Sequence, residues 1–75
     1  MNDYSIKFYR KLIKMKQQDL ADILGLKSYE MSFIENKIEL PDKDLLVNLA
    51  TALHVTVGQI YTKEELDLIL SRKEN

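Results

Sequence analysis

The stretch that decides the fold is QQDLADILGLKSYEMSFIEN, which runs from Gln17 to Asn36. Its first half carries apolar residues at the spacing of one helix face, and Gly25 follows them where a helix commonly ends in the left-handed conformation. Its second half repeats the helical spacing in Met31 and Ile34. Helices this short are marginal in isolation. The stretch therefore predicts two short helices that pack against each other across a tight turn.

Helical patterns continue on both sides of this stretch. Apolar spacing, hydroxyl or carboxyl N-caps and the single proline, Pro41, set the expected boundaries. Thr62 followed three residues later by Glu65 has the spacing of a capping box, which favours one more helix near the C-terminus. The chain is therefore predicted to be all-α, with five helices and a short additional C-terminal helix. The predicted helices are Tyr4–Lys14, Gln17–Leu24, Ser28–Asn36, one from the Asp42 cap to about Leu53, a short one from the Thr56 cap through Tyr61, and one from the Thr62 cap to about Arg72.

Length and composition predict a small folded domain. The chain has 75 residues, of which 45% are hydrophobic and 31% charged, a composition typical of a folded helical protein. We divide it into a domain over residues 1–61 and a C-terminal helix and tail over residues 62–75, where 73–75 are expected to fray. No apolar run has the length of a membrane span and no signal-peptide pattern is present, which predicts a cytoplasmic protein.

The residue types argue against catalysis. The chain has no cysteine, and His54 is its single histidine. One histidine without a thiol partner builds neither a metal site nor a nucleophilic triad. His54 lies where a helix is expected to end, so we interpret it as a polar C-terminal residue rather than a ligand. We expect no enzyme activity, no catalytic residues, no metal, no cofactor and no small-molecule ligand.

Charge is distributed unevenly along the chain. The net charge is −1, although residues 1–16 hold five basic side chains against one acidic. Residues 17–75 hold six basic and eleven acidic side chains. A negative sum argues weakly against a nucleic-acid partner, whereas a basic end is compatible with one. The lysines of the first helix are either a solvated face or a second phosphate-contacting patch.

A longer pattern surrounds the two short central helices. It consists of Gln17-Gln18-Asp19-Leu20-Ala21, Ile23-Leu24-Gly25-Leu26, Met31-Ser32-Phe33-Ile34-Glu35-Asn36, Pro41, Leu49-Ala50, Leu53 and Val55. With this pattern, from Ile6 to Tyr61, the chain resembles the lambda Cro and repressor-like helix-turn-helix domains, the XRE family of bacterial and phage regulators. The resemblance implies a lambda-repressor-like fold whose third helix enters the DNA major groove, which is about 12 Å wide. It further implies a homodimeric transcriptional regulator, most simply a repressor, on palindromic double-stranded operator DNA.

The same resemblance assigns structural and base-contacting roles. Arg10 fits the arginine of helix one and Glu35 fits the acid that closes helix three, which implies an ion pair between these two helices. Base contacts are implied at the start of helix three, for Lys27, Ser28, Tyr29, Ser32 and Phe33.

Phosphate contacts are implied around the second helix and the loop after the third. The N-terminus of helix two favours an anion through its backbone N–H groups. Lys16 replaces the family's usual Ser or Thr cap, and Lys37 replaces the usual glycine at a position where the backbone often turns left-handed, at a cost of about 1 kcal/mol. The implied phosphate contacts are Lys16, Gln17, Asn36, Lys37 and Lys43.

The third helix has unusual chemistry for base recognition. After Lys27 it carries no Arg, Lys, Gln or Asn before Asn36, although those side chains make the common bidentate base contacts. Hydroxyl groups, a Phe33 contact to a thymine methyl and a Glu30 contact to a cytosine amine remain as alternatives. Tyr29 and Phe33 lie one turn apart on the outward face, whereas Tyr9 and Tyr61 are expected in the core. The rival hypothesis is therefore a protein-binding module, such as an antitoxin, antirepressor or inhibitor.

A second apolar surface is predicted on the first helix. Phe8 and Leu12 form an i, i+4 pair on a different side from the core residues of that helix. The C-terminal helix either covers this pair or takes part in a dimer contact. The residues assigned to this cover or dimer surface are Phe8, Leu12, Leu66, Ile69 and Leu70.

Overall fold

The computed structural model describes residues 4–72, which form six α-helices and no strand. The all-α fold class is thereby confirmed, whereas the predicted fraying of 73–75 lies outside the described residues. Within 4–72, no helix has the length and apolar character needed to cross a bilayer. The helices are α1 Ile6–Leu12, α2 Gln17–Leu24, α3 Ser28–Glu35, α4 Lys43–Leu53, α5 Val57–Ile60 and α6 Lys63–Ser71.

Helix α1 is shorter at both ends than the apolar spacing predicts. Ser5 is its N-cap, and the Ser5 hydroxyl accepts a hydrogen bond from the Phe8 N–H at 3.0 Å. At the other end Lys14 has φ +58°, and the Met15 N–H donates to the Arg10 carbonyl at 3.1 Å. A left-handed residue followed by a backbone hydrogen bond that spans five residues, here from Met15 to Arg10, terminates a helix. The predicted range 4–14 was wrong at both ends. At the N-terminal end Ser5 is the cap and Tyr4 is not helical, with φ +53°, and at the C-terminal end a lysine gives no sequence signal for a left-handed residue.

The turn between α2 and α3 depends on Gly25. Its φ is +71°, a conformation that glycine adopts without steric cost. The Leu26 N–H donates to the Ala21 carbonyl at 2.8 Å, which closes the end of α2 immediately before α3 begins. Leu20, Ala21, Met31 and Ile34 are buried between the two helices and the rest of the core. The turn chemistry thus holds α2 and α3 as neighbours, and we call residues 17–35 the α2–α3 unit.

One hydrophobic core joins all six helices. Each helix contributes at least one buried side chain, and α4 contributes the most. The ring of Tyr61 is also buried, as the sequence predicts, and burial together with the negative charge of Glu65 raises the pKa of its hydroxyl above the ordinary value. The buried hydrophobic residues are Ile6, Leu20, Ala21, Met31, Ile34, Leu46, Leu49, Ala50, Leu53, Ile60, Tyr61 and Ile69.

The C-terminal helix packs on this core but does not cover the second apolar surface of α1. Ile69 is buried and Leu66 packs against the core, so neither presents a free face. Phe8 is 47% exposed and Leu12 is 61% exposed. The interpretation of α6 as their cover was therefore wrong, because its inward side chains contact the central core instead. Leu70 remains exposed.

Helix α4 ends on a strained residue, which gives a testable stability prediction. His54 is exposed and has φ +60°, a conformation that costs a non-glycine residue about 1–2 kcal/mol. We expect His54→Gly to raise the free energy of unfolding by about 0.5–1 kcal/mol, because glycine avoids this cost but loses more chain entropy. Urea unfolding measures the change. His54→Ala is the matched control, because it retains a Cβ and is expected to give no gain.

Candidate nucleic-acid interface

A buried ion pair fixes α3 against α1. Arg10 Nε lies 2.8 Å from Glu35 Oε2 and Arg10 Nη2 donates to Glu35 Oε1 at 3.1 Å, so the pair is bidentate. Arg10 Nη1 also donates to the Met15 carbonyl at 2.7 Å. Only 8% of the Arg10 side chain and 5% of the Glu35 side chain are exposed. Both charges are therefore paired and hydrogen-bonded, which is the condition under which burial of charge is tolerated.

Gln17 connects the N-terminus of α2 to the same ion pair. Its Nε2 atom donates to Glu35 Oε1 at 3.2 Å. One amide hydrogen is therefore used inside the protein, while the second is available to another acceptor. The phosphate contact expected for Gln17 remains a prediction, and the structure adds a positioning contact that the sequence pattern does not indicate.

A polar network that sequence reasoning missed joins α2 to the start of α3. The Ser28 hydroxyl donates to Gln18 Oε1, and Gln18 Nε2 donates to Asp22 Oδ1 at 2.8 Å. Gln18 and Asp22 are four residues apart on one helix, a spacing from which their own hydrogen bond is predictable. The Ser28 contact crosses between helices and has no local sequence signal. The hydroxyl proton of Ser28, expected to contact a base, is used in this network.

The N-termini of α2 and α3 have lysine caps. The Lys16 N–H donates to Asp19 Oδ2 at 3.1 Å, and the Lys27 N–H donates to Glu30 Oε1 at 2.9 Å. A lysine side chain has no acceptor, so neither cap satisfies the first N–H groups of its own helix. The Glu30 carboxylate is held at the helix start by its bond to Lys27. The contact of Glu30 with a cytosine amine remains a prediction, because a carboxylate that accepts from one N–H can accept further hydrogen bonds.

Two aromatic rings form the outer face of α3. Tyr29 is 57% exposed and Phe33 is 39% exposed, while Met31 and Ile34 on the opposite face are buried. The two ring centroids are 5.9 Å apart with an interplanar angle of 77°, an edge-to-face arrangement. Lys27 is also exposed. We call Lys27, Tyr29 and Phe33 the α3 outer face.

Ser32 and Asn36 bind each other near the end of α3. Asn36 Nδ2 donates to the Ser32 carbonyl at 2.9 Å and to the Ser32 hydroxyl oxygen at 3.3 Å. The Asn36 amide is thus used within the helix end rather than extended toward solvent. The base contact of Ser32 and the phosphate contact of Asn36 remain predictions that require these bonds to open.

The side chain of Lys37 lies on the α5–α6 side of the fold. Its Nζ donates to the Ile60 carbonyl at 2.7 Å, lies 3.3 Å from Glu65 Oε1 and stands 4.2 Å from the centroid of the Tyr61 ring. The backbone has φ +61°, the left-handed conformation expected for this position. The expected phosphate contact of Lys37 remains a prediction that requires these contacts to open, because the carbonyl, the carboxylate and the ring together bind the ammonium group on the α5–α6 side.

The contacts of Lys37 predict a role in stability. We expect Lys37→Ala to lower the free energy of unfolding by about 1–2 kcal/mol, because a charged hydrogen bond and a cation–π contact are lost. The ion pair with Glu65 adds little to this loss, since it is partly exposed to solvent. Lys11→Ala, at an exposed site on α1, is the control and is expected to change it by under about 0.5 kcal/mol. Urea unfolding measures both variants. An unchanged stability for Lys37→Ala would contradict this role.

The remaining expected phosphate contacts lie at two separate places. Lys16 is exposed at the start of α2. Lys43 is exposed at the start of α4 and lines a cleft with Leu70 and Arg72 near the end of α6. The structure thus places Lys16 beside the α2–α3 unit and groups Lys43 with the C-terminal helix.

Comparison of the chain with known protein families, with curated proteins and with solved structures gave no match. Functional inference therefore depends on the residues of this chain. The features relevant to a ligand are the two lysine-capped helix starts and the α3 outer face. The ion pair and the α2 to α3 polar network hold these features in place.

Proposed function

We propose that the α2–α3 unit is a lambda-repressor-like helix-turn-helix and that the protein is a sequence-specific DNA-binding transcriptional regulator, most simply a repressor. The observation that carries this proposal is the α3 outer face. It is exposed on a helix that is held at both ends: at Glu35 by Arg10 and Gln17, and at Ser28 by Gln18. A helix that enters the major groove requires such an exposed face and such fixed placement.

Local electrostatics support a phosphate-bearing partner despite the negative net charge. Lys14, Lys16 and Lys27 are exposed around the starts of α2 and α3. The first N–H groups of both helices have no side-chain cap, and the helix dipole favours an anion there, a position that the Asp19 and Glu30 carboxylates partly occupy. Positioning contacts to phosphates by lysines and by backbone N–H groups are the usual way in which a protein is oriented on DNA.

A homodimer on a palindromic operator fits the small size of this unit. Two copies would place their α3 helices in successive major grooves, about 34 Å apart. The exposed apolar side chains outside the α2–α3 unit offer contact area for a second copy, and Leu70 is the one of the five proposed surface residues that α6 exposes. Leu66 and Ile69 are excluded from that surface because they pack on the core.

A second candidate function is a protein-binding module, and a specific observation favours it. Ile38, three residues after the end of α3, is 69% exposed, and its N–H donates to the Phe33 carbonyl at 2.9 Å. An exposed aliphatic side chain thus follows the two exposed rings of α3 closely in the chain. Exposed aromatic and aliphatic side chains together are typical of anchors in protein interfaces. Under this alternative the partner is a protein, as for an antitoxin, an antirepressor or an inhibitor.

Salt dependence of DNA binding separates the two functions. For DNA, the logarithm of the binding constant is expected to fall linearly with the logarithm of salt concentration, by about 0.9 per phosphate contact. Lys16→Ala and Lys27→Ala are each expected to reduce that slope by about 0.9. Fluorescence anisotropy with a labelled duplex at several salt concentrations gives the slopes.

The matched control is Lys63→Ala, which removes an equal charge from the start of α6. Its slope is expected to equal that of the unmodified protein. Slopes that fall equally for all three lysine variants would indicate a diffuse charge effect. That result would count against the proposed placement of DNA on the α2–α3 unit.

A further inference from the structure

The internal hydrogen bonds of the α2–α3 unit use most of the polar groups that its third helix offers. The Ser28 hydroxyl donates to Gln18, and Glu30 accepts from the Lys27 backbone. The Ser32 hydroxyl accepts from Asn36. Each of these groups keeps only part of its hydrogen-bonding capacity for a base edge, and its internal bond fixes its position. The exposed groups of the α3 outer face with no internal hydrogen bond among those above are the Lys27 ammonium group, the Tyr29 phenol and the Phe33 ring.

The two rings match one feature of the major groove. Each base pair presents hydrogen-bonding groups there, but thymine adds an apolar C5-methyl group. Phe33 has no polar atom, and Tyr29 has one at the far end of its ring. Their edge-to-face packing holds both rings at the surface, so contact with DNA requires little further ordering of these side chains. Contact with the rings removes water from the methyl group. This breaks no hydrogen bond, because a methyl group makes none.

We infer that Phe33, packed against Tyr29, recognises thymine through its methyl group, and that this contact is the main source of base discrimination by α3. This inference rests on the proposed function, since it names what the α3 outer face contacts on DNA. Lys27 supplies a charge at the start of the helix, while the rings supply the preference among bases. The expected half-site is therefore one with thymines where α3 enters the major groove.

Replacement of thymine by deoxyuridine tests this inference, because it removes the methyl group and retains the Watson–Crick pairing. The probe is a duplex enriched by the protein from a random library. Its thymines within the footprint are replaced one at a time. At least one replacement is expected to weaken binding about fourfold, the loss for one methyl-sized group withdrawn from an apolar contact.

The Phe33→Ala variant shows whether the methyl group is contacted by this ring. It is expected to bind the thymine duplex more weakly and to bind the thymine and uracil duplexes equally. Tyr29→Phe keeps the ring and removes the hydroxyl, so it is expected to retain the fourfold preference for thymine. Far-UV circular dichroism of both variants checks that the helices are intact, and a thymine outside the footprint serves as the control replacement.

The outcomes of this experiment distinguish failure of the thymine inference from failure of the proposed function. A preference for thymine that disappears in Phe33→Ala supports the inference. Selective binding with no effect of any replacement within the footprint overturns the inference and leaves the proposed function in place. A preference that persists in Phe33→Ala also overturns it, because another group then contacts the methyl. Failure to enrich any duplex overturns the inference together with the proposed function.

Discussion

Glu35→Ala is expected to lower the free energy of unfolding by about 3–5 kcal/mol, the largest effect of any single substitution considered for this protein. The change leaves the Arg10 guanidinium buried with no opposing charge, since Glu35 accepts two of its hydrogen bonds. It also removes the acceptor for Gln17. A chain of this length has a total stability of about 4–11 kcal/mol. Urea unfolding at neutral pH is expected to show a midpoint at much lower urea concentration, and a variant partly unfolded without denaturant if the total stability lies at the lower end of that range.

Two further variants show that the effect comes from an uncompensated charge. Glu39→Ala removes an exposed carboxylate just after α3 and is expected to change stability by under about 0.5 kcal/mol. A double variant, Arg10→Met with Glu35→Leu, removes both charges and fills their volume. It is expected to be much more stable than Glu35→Ala, because replacing a buried pair with apolar residues is often neutral. A loss of under about 1 kcal/mol for Glu35→Ala would mean that the pair behaves as an exposed one.

The second large effect is expected on DNA binding. Replacement of both Tyr29 and Phe33 by alanine should weaken binding to the enriched duplex by about 10–100-fold, because withdrawing a Phe-sized side chain from an apolar contact removes about 1.5–3 kcal/mol. Affinity for an unrelated duplex should change little, since that affinity comes from phosphate contacts. The ratio of the two affinities, measured at one salt concentration, is the quantity to compare.

The control for this double variant is Phe8→Ala. Phe8 is also exposed, and its ring also packs edge-to-face on a neighbour, Tyr9, with centroids 5.2 Å apart. The free energy of unfolding of Phe8→Ala is expected to fall by under about 1.5 kcal/mol. Because Phe8 lies on α1, outside the α2–α3 unit, the affinity ratio is expected to remain unchanged. An equal loss of the ratio in Phe8→Ala would show that exposed aromatic rings act through folding or association rather than through base contact.

The limits of α2 were predictable from the sequence, because its signals are local. Gly25 ends the helix through its backbone freedom, and the apolar spacing of Leu20, Ala21 and Leu24 defines its inner face. The predicted and observed ranges therefore agree. The end of α1 had no such signal, since the left-handed residue there is Lys14 and lysine has no preference for that conformation.

The candidate site was predictable only where side chains act locally or where the resemblance assigns a role. Arg10 and Glu35 are 25 residues apart, and the resemblance, not the spacing, implied their ion pair. Lys37 was assigned to phosphate through the resemblance, from its charge and its position in the loop after helix three. Its ammonium group instead contacts Ile60, Tyr61 and Glu65, which a flexible side chain reaches only after the chain has folded.

The most direct test of the central claim is the ratio of binding constants for an enriched duplex and a scrambled duplex of equal length and composition. Fluorescence anisotropy at one physiological salt concentration gives both constants. We predict a ratio of about 1,000 or more, with enriched sequences that contain two half-sites about 10 base pairs apart. Equal affinity for the two duplexes, or no enrichment from the library, would contradict sequence-specific DNA binding by the α2–α3 unit.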